Sequence, residues 1–216
     1  MKTSIIPRRI FLVDYHPIVC FAIRSVIEKD KSLRVCGSAS NIHKALEAIR
    51  TLKPDLIVTE LALWDSNGIN LIVNVKVLFP DLPVLVFTEQ NEIFYALRAI
   101  SVGANGYVEK SQGTEVILSA IKTILSGSTY FNPVVTDRLR KIKKRNKRFT
   151  GSPLVDLSDR ELEVFWLLGK GFSQKKIAKH VKVSINTIKC YVLRIRKKMV
   201  LPTYSELVHT AFRWRE

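Results

Sequence analysis

A doubly wound α/β domain with a five-stranded parallel sheet, followed by a smaller all-α domain of four helices, is the fold class this sequence predicts. Three observations lead to it. Short β-rich apolar runs alternate with helical patterns through the first 130 residues of a 216-residue chain. The last third carries helical patterns only, two of them joined by a very short turn. Between these parts runs "RLRKIKKRNKR" (138–148), eight basic residues with no acid. The expected organisation is an α/β domain over 1–130, a basic linker over 131–152, and a helical domain over 153–216.

The elements follow in order. "RIFLV" (9–13) is an apolar run of strand length, and "PIVCFAIRSVIEK" (17–29) a helix with apolar positions 18, 19, 22, 23, 26 and 27. "LRVCGSA" (33–39) is the second strand, and "NIHKALEAIRTL" (41–52) a helix opening on Asn41, a residue suited to cap a helix N-terminus. "DLIVT" (55–59) and "INLIVNVKVLF" (69–79) form the third pair. "PVLVFT" (83–88) precedes "IFYALRAISVG" (93–103), which Gly103 stops. "GYVEK" (106–110) and "TEVILSAIKTILSG" (114–127) complete five strand–helix pairs. Such repetition builds a parallel sheet with helices on both faces, and function gathers at the carboxyl ends of the strands.

Those ends carry Asp14, Glu60, Thr88 and Lys110, after strands one, three, four and five. Two carboxylates, a hydroxyl and an ammonium suit phosphoryl chemistry. The carboxylates would hold a divalent cation, while hydroxyl and ammonium would contact phosphate oxygens. Enzymatic alternatives lack their motifs. The chain has no glycine-rich dinucleotide or Walker loop, no GxSxG, no HExxH and no metal-spaced His/Cys set, so no enzyme and no metal centre are expected.

Charge points to the partner. The net charge is +16, yet residues 1–137 are near balance, with 14 basic and 13 acidic side chains. Residues 149–216 hold 13 basic against six acidic, so the positive field belongs to the linker and the C-terminal third. That is the footprint of a polyanionic partner. No apolar run reaches the length of a membrane span, and the N-terminus lacks a secretory pattern. Three scattered cysteines (Cys20, Cys36, Cys190) suit reduced thiols and a cytoplasmic protein.

In the C-terminal part, "LSDRELEVFWLLGKG" (157–171) places Ser158 three residues before Glu161, a capping box that opens a helix. Its apolar positions are 162, 165, 166 and 168. Ser173 caps a short helix to about Val181, "KVS" makes the turn, and a longer helix runs from about Ser184 to Met199. The longer helix carries Lys189, Arg194, Arg196, Lys197 and Lys198, an arrangement that reads as helix-turn-helix. "YSELVHTAFRW" (204–214) is the last helix.

The residues also carry two family resemblances. "FLVDYHPIV", "PDLIVTEL", "VLVFT" and "GANGYVEK" resemble, in order and spacing, the flavodoxin/CheY-like receiver domain of two-component response regulators. "LSDRELEVFWLLGKGFSQKKIAKHVKVSINTIKCYVLRIRKKM" resembles the LuxR/NarL-type DNA-binding domain. Together they are similar to NarL/FixJ response regulators, nearest the BvgA/EvgA/FimZ-like branch of virulence and fimbrial regulators. The resemblance implies a pocket of Asp14, Tyr15, Thr88, Lys110 and the switch aromatic Tyr107. It departs at two places: Tyr15 stands where the family carries a second acid, and Glu60 where it carries the phospho-accepting Asp. Mg²⁺ binding is then expected to be weak or absent. Glu60 could imitate a phosphoaspartate, be inert, or still accept a phosphoryl group.

Carried over by position, Lys189, Cys190 and Leu193 point at base edges, and Thr187, Tyr191, Arg194 and Lys197 at phosphates. The expectation is a sequence-specific regulator that binds double-stranded promoter DNA as a homodimer, or as a heterodimer with a related regulator, without phosphorylation. The rivals are a conventional phosphorylated regulator, whose sensor kinase the sequence leaves unnamed, and a partner-binding module.

Overall fold

The computed structural model describes residues 6–63, 68–89, 93–137 and 157–215. The chain divides into two compact units, 1–148 and 149–216. The basic cluster at 138–148, the core of the expected linker, lies outside the described residues.

The first unit is the expected alternation: β1 (Arg8–Val13), α1 (Pro17–Ile27), β2 (Leu33–Ala39), α2 (Ile42–Leu52), β3 (Leu56–Thr59), α3 (Gly68–Leu78), β4 (Val84–Thr88), α4 (Ile93–Ser101), β5 (Gly106–Glu109) and α5 (Thr114–Leu125). Its five strands are all parallel, in the order β2-β1-β3-β4-β5. The side chains of β1 show how the sheet is covered on both faces. Phe11 and Val13 join a core with Ala45 and Ile49 of α2 and Leu71, Ile72 and Val75 of α3. Ile10 and Leu12 face the other way, onto Ile23 and Ile27 of α1 and Ile117, Ile121 and Ile124 of α5. Each fully buried side chain of this kind contributes roughly 1.5–3 kcal/mol. The order reverses between β1 and β3, which opens a crevice at the carboxyl ends of those strands.

Local signals set the element ends. Asn41 accepts a hydrogen bond from the Lys44 amide at 3.0 Å and opens α2. Lys110 is the first residue of a 3-10 turn (Lys110–Gln112) rather than the last of β5. The expected boundary at residue 130 moves outward. Tyr130 accepts from the Tyr107 amide at 2.9 Å and donates to the Asn105 carbonyl at 3.0 Å, while Val135 is 6% exposed within the first core. The segment following α5 is thus tied to the sheet edge.

The second unit contains α6 (Asp159–Gly169), α7 (Gln174–Val181), α8 (Ile185–Lys198) and α9 (Tyr204–Arg215). Ser158, Ser173 and Ser184 cap the first three, each accepting from an amide three residues on. The capping box at Ser158 and Glu161 is formed in both directions. Lys182, at φ 58°, turns the chain sharply between α7 and α8. Leu162, Phe165, Ile177, Ile188, Val192, Ile195 and Leu207 are buried. The expected apolar face of α6 is broader than the sequence pattern: Val164 and Leu167 are buried and Trp166 is half-buried. The reason is that α6 packs against all three other helices. No helix among the described residues is long and apolar enough to cross a membrane.

Candidate regulatory pocket and nucleic-acid interface

The strand ends converge as their positions predict. Asp14 leaves β1, Glu60 leaves β3, Thr88 ends β4, and Lys110 follows β5. Asp14, Glu60 and Thr88 are buried, and the Lys110 side chain is 12% exposed. The Lys110 ammonium lies 2.7 Å from Asp14 Oδ2 and 2.7 Å from Glu60 Oε2, bridging the two carboxylates. Burial by itself would lower the Lys110 pKa. The hydrogen bonds and negative charges of Asp14 and Glu60 outweigh burial and hold it above the ordinary lysine value.

Glu60 Oε1 has its own donors. The amides of Leu61 and Ala62 reach it at 2.6 and 3.1 Å, and the Thr88 hydroxyl donates to the same oxygen. The carboxylate therefore turns back on the backbone that follows it and is held on both oxygens. Asp14 Oδ1 accepts from the His16 amide at 2.8 Å. Tyr15 stacks on His16, with ring centroids 3.7 Å apart and a 39° tilt. Tyr107, in β5, is buried within the first core, 7% exposed. Asp14, Glu60, Thr88 and Lys110 thus form one hydrogen-bonded cluster, with Tyr15 next to Asp14 in the chain; Tyr107, expected in the same pocket, belongs to the first core.

The second candidate site is one face of α8. Ile188, Val192 and Ile195 turn inward, with 0%, 6% and 0% exposure. Lys189, Cys190, Leu193, Arg194 and Lys197 are all exposed, on the opposite side. Thr187 and Tyr191 are half-buried at the flank, and the Thr187 hydroxyl lies 2.8 Å from the capping Ser184 hydroxyl. Two basic residues of α8 serve the fold. Lys198 donates to the buried Glu161 carboxylate at 2.6 Å, and Arg196 Nε to the Leu201 carbonyl at 3.3 Å. Burial raises the Glu161 pKa, but Lys198 and Ser158 overcome that effect and leave it below the usual carboxylate range.

Comparison with known proteins identifies the family of each unit. Residues 10–122 match the response regulator receiver domain, and 155–211 the bacterial regulatory proteins of the luxR family. The fimbriae Z protein of Salmonella typhimurium is 31% identical over 95% of this chain and 96% of its own. The virulence-factor transcription regulator BvgA of Bordetella pertussis is 32% identical over 95% of this chain and 97% of its own. Solved Salmonella typhimurium RcsB, a response regulator, aligns with a TM-score of 0.59 at 26% identity, covering 94% of this chain and 97% of that one. RcsB is also solved as two dimers bound to two parallel DNAs.

The chain belongs to the LuxR family of response regulators. It is a DNA-binding transcriptional regulator with an N-terminal receiver domain and a C-terminal helix-turn-helix domain. In this regulator the strand-end rule located four pocket residues from sequence. It gave no sign that Lys110 would bridge two carboxylates, or that Glu60 would accept from the amides beside it. Both depend on side-chain conformations that spacing does not encode. The paired roles of Glu161, helix cap and partner of Lys198, had one visible half, the capping box. The other half joins residues 37 apart in the chain and carries no local pattern.

Proposed function

We propose that this regulator binds promoter DNA as a dimer through the exposed face of α8, with a receiver pocket that Glu60 holds in place of a phosphoryl group. One observation carries the second part: each carboxylate oxygen of Asp14 and Glu60 already accepts from a donor of the chain itself. Glu60 stands at the family's acceptor position, and its partners are Thr88 and Lys110, the groups suited to phosphate oxygens. Its charge is smaller than that of a phosphoryl group, but it is permanent.

The same donors speak against a Mg²⁺ centre. Mg²⁺ requires closely placed oxygens in near-octahedral geometry. Here an ammonium occupies the space between the two carboxylates, and the family's second acid is replaced by Tyr15, whose ring lies against His16. The residues present do not fit the ion, and regulation without it follows. RcsB on DNA supports the dimeric reading. So does α9, whose exposed aromatics, Phe212 at 44% and Tyr204 at 38%, suit contact with a second copy.

The DNA part is tested on the full chain by titrating a selected promoter site and bulk DNA with Lys189→Ala. Lys189 is exposed on α8 and suited to a guanine edge. Specific affinity should fall by about 1–3 kcal/mol, with bulk DNA much less affected. An equal loss on both would make Lys189 a phosphate contact and remove it from base recognition.

A further inference from the structure

We infer that Leu193 is a specificity-determining residue of α8 and reads thymine 5-methyl groups in the major groove. The inference rests on the DNA-binding reading above and adds to it the class of sequence selected. Leu193 is 51% exposed, on the side of α8 opposite the buried Ile188, Val192 and Ile195. Lys189 and Lys197 stand four residues to either side of it and Cys190 three before, so all are its neighbours on the helix surface. Both lysines and Cys190 are exposed as well, and α8 contains no acidic residue.

An apolar side chain set among cations restricts what can cover it. The cations favour a polyanion over an apolar groove of another protein. On double-stranded DNA, the apolar group that a major-groove helix meets is the thymine methyl. Leu193 supplies the apolar surface among these cations, with the Cys190 thiol a small one beside it; Ile185, exposed at 43%, lies two turns earlier at the start of α8. Lys189, one turn earlier, would take guanine O6 and N7. The half-site is therefore one in which a guanine contact and a thymine step are neighbours.

Deoxyuridine pairs as thymine does and lacks the methyl. The full-length protein is used to select binding sites from a random DNA pool, and each thymine of the selected half-site is then replaced by deoxyuridine in turn. Affinity should fall about three- to fourfold per contacted methyl, at one or two adjacent positions. Leu193→Met should keep that sensitivity, and Leu193→Asn should erase the difference between thymine and deoxyuridine there. Tolerance of deoxyuridine at every position overturns the inference, as does an unchanged thymine preference in Leu193→Asn. A pool that yields no enriched sequence overturns the DNA-reading function itself, and this inference with it.

Discussion

Lys110→Met should destabilise the N-terminal unit by about 3–5 kcal/mol, because it removes the cation between two buried carboxylates. Asp14 and Glu60 side chains are each 4% exposed, so solvent cannot replace the ammonium at 2.7 Å from both. Methionine fills a similar volume, which makes the loss electrostatic rather than a matter of packing. For a unit of this size the melting temperature should drop by about 10 °C. The pH dependence has a definite sign. The Lys110 ammonium is held above the ordinary lysine value, so the stability it adds is full below the ordinary lysine range and is lost as pH rises through the raised value. The gap from wild type should hold at neutral pH and close under strongly alkaline conditions. Thermal melts at several pH values measure this. A variant as stable as wild type at neutral pH would mean that the bridge contributes nothing.

The second large effect is a gain. Glu60→Asp combined with Tyr15→Asp should create a phosphorylatable pocket. The shorter side chain would withdraw its carboxylate from the Leu61 and Ala62 amides, leaving Thr88 and Lys110 for phosphoryl oxygens. The new acid beside Asp14 would complete a carboxylate pair for Mg²⁺. Tyr15 is half-buried at the margin of the pocket, so an acid there can remain solvated. With acetyl phosphate and Mg²⁺, intact-mass analysis should show one phosphoryl group on the double variant. Glu60→Asp alone should show much less, since productive placement of the nucleophile also requires the ion. An adduct-free double variant would show that the pocket has lost competence beyond these two positions.

Much of this molecule is legible in its sequence, for identifiable reasons. Strand patterns hold because the central strands β1, β3 and β4 bury side chains on both faces. Ile10 and Phe11 are adjacent in the chain yet belong to different cores. Asp14, Glu60, Thr88 and Lys110 were findable because parallel strands bring their carboxyl ends to one edge. What stayed hidden is set by tertiary partners. Arg196 and Lys198 read as part of a DNA-facing charge cluster, but their hydrogen bonds go to Leu201 and Glu161. Thr187 and Tyr191, expected at phosphates, lie half-buried beside the exposed face. Val135 looked like linker because "STYFNPVV" has neither strand nor helix period, and its burial comes from the sheet edge at Tyr107 and Tyr130.

The central claim is that Glu60 already occupies the place a phosphoryl group would take. The most direct measurement is the affinity of the unmodified protein for its selected DNA site, with and without acetyl phosphate and Mg²⁺, and its intact mass under both conditions. The account predicts affinities equal within about twofold, well under the fivefold that marks a typical coupling between sites, and an unchanged mass. A stable phosphoryl adduct on the unmodified protein, accompanied by tighter DNA binding, would contradict it.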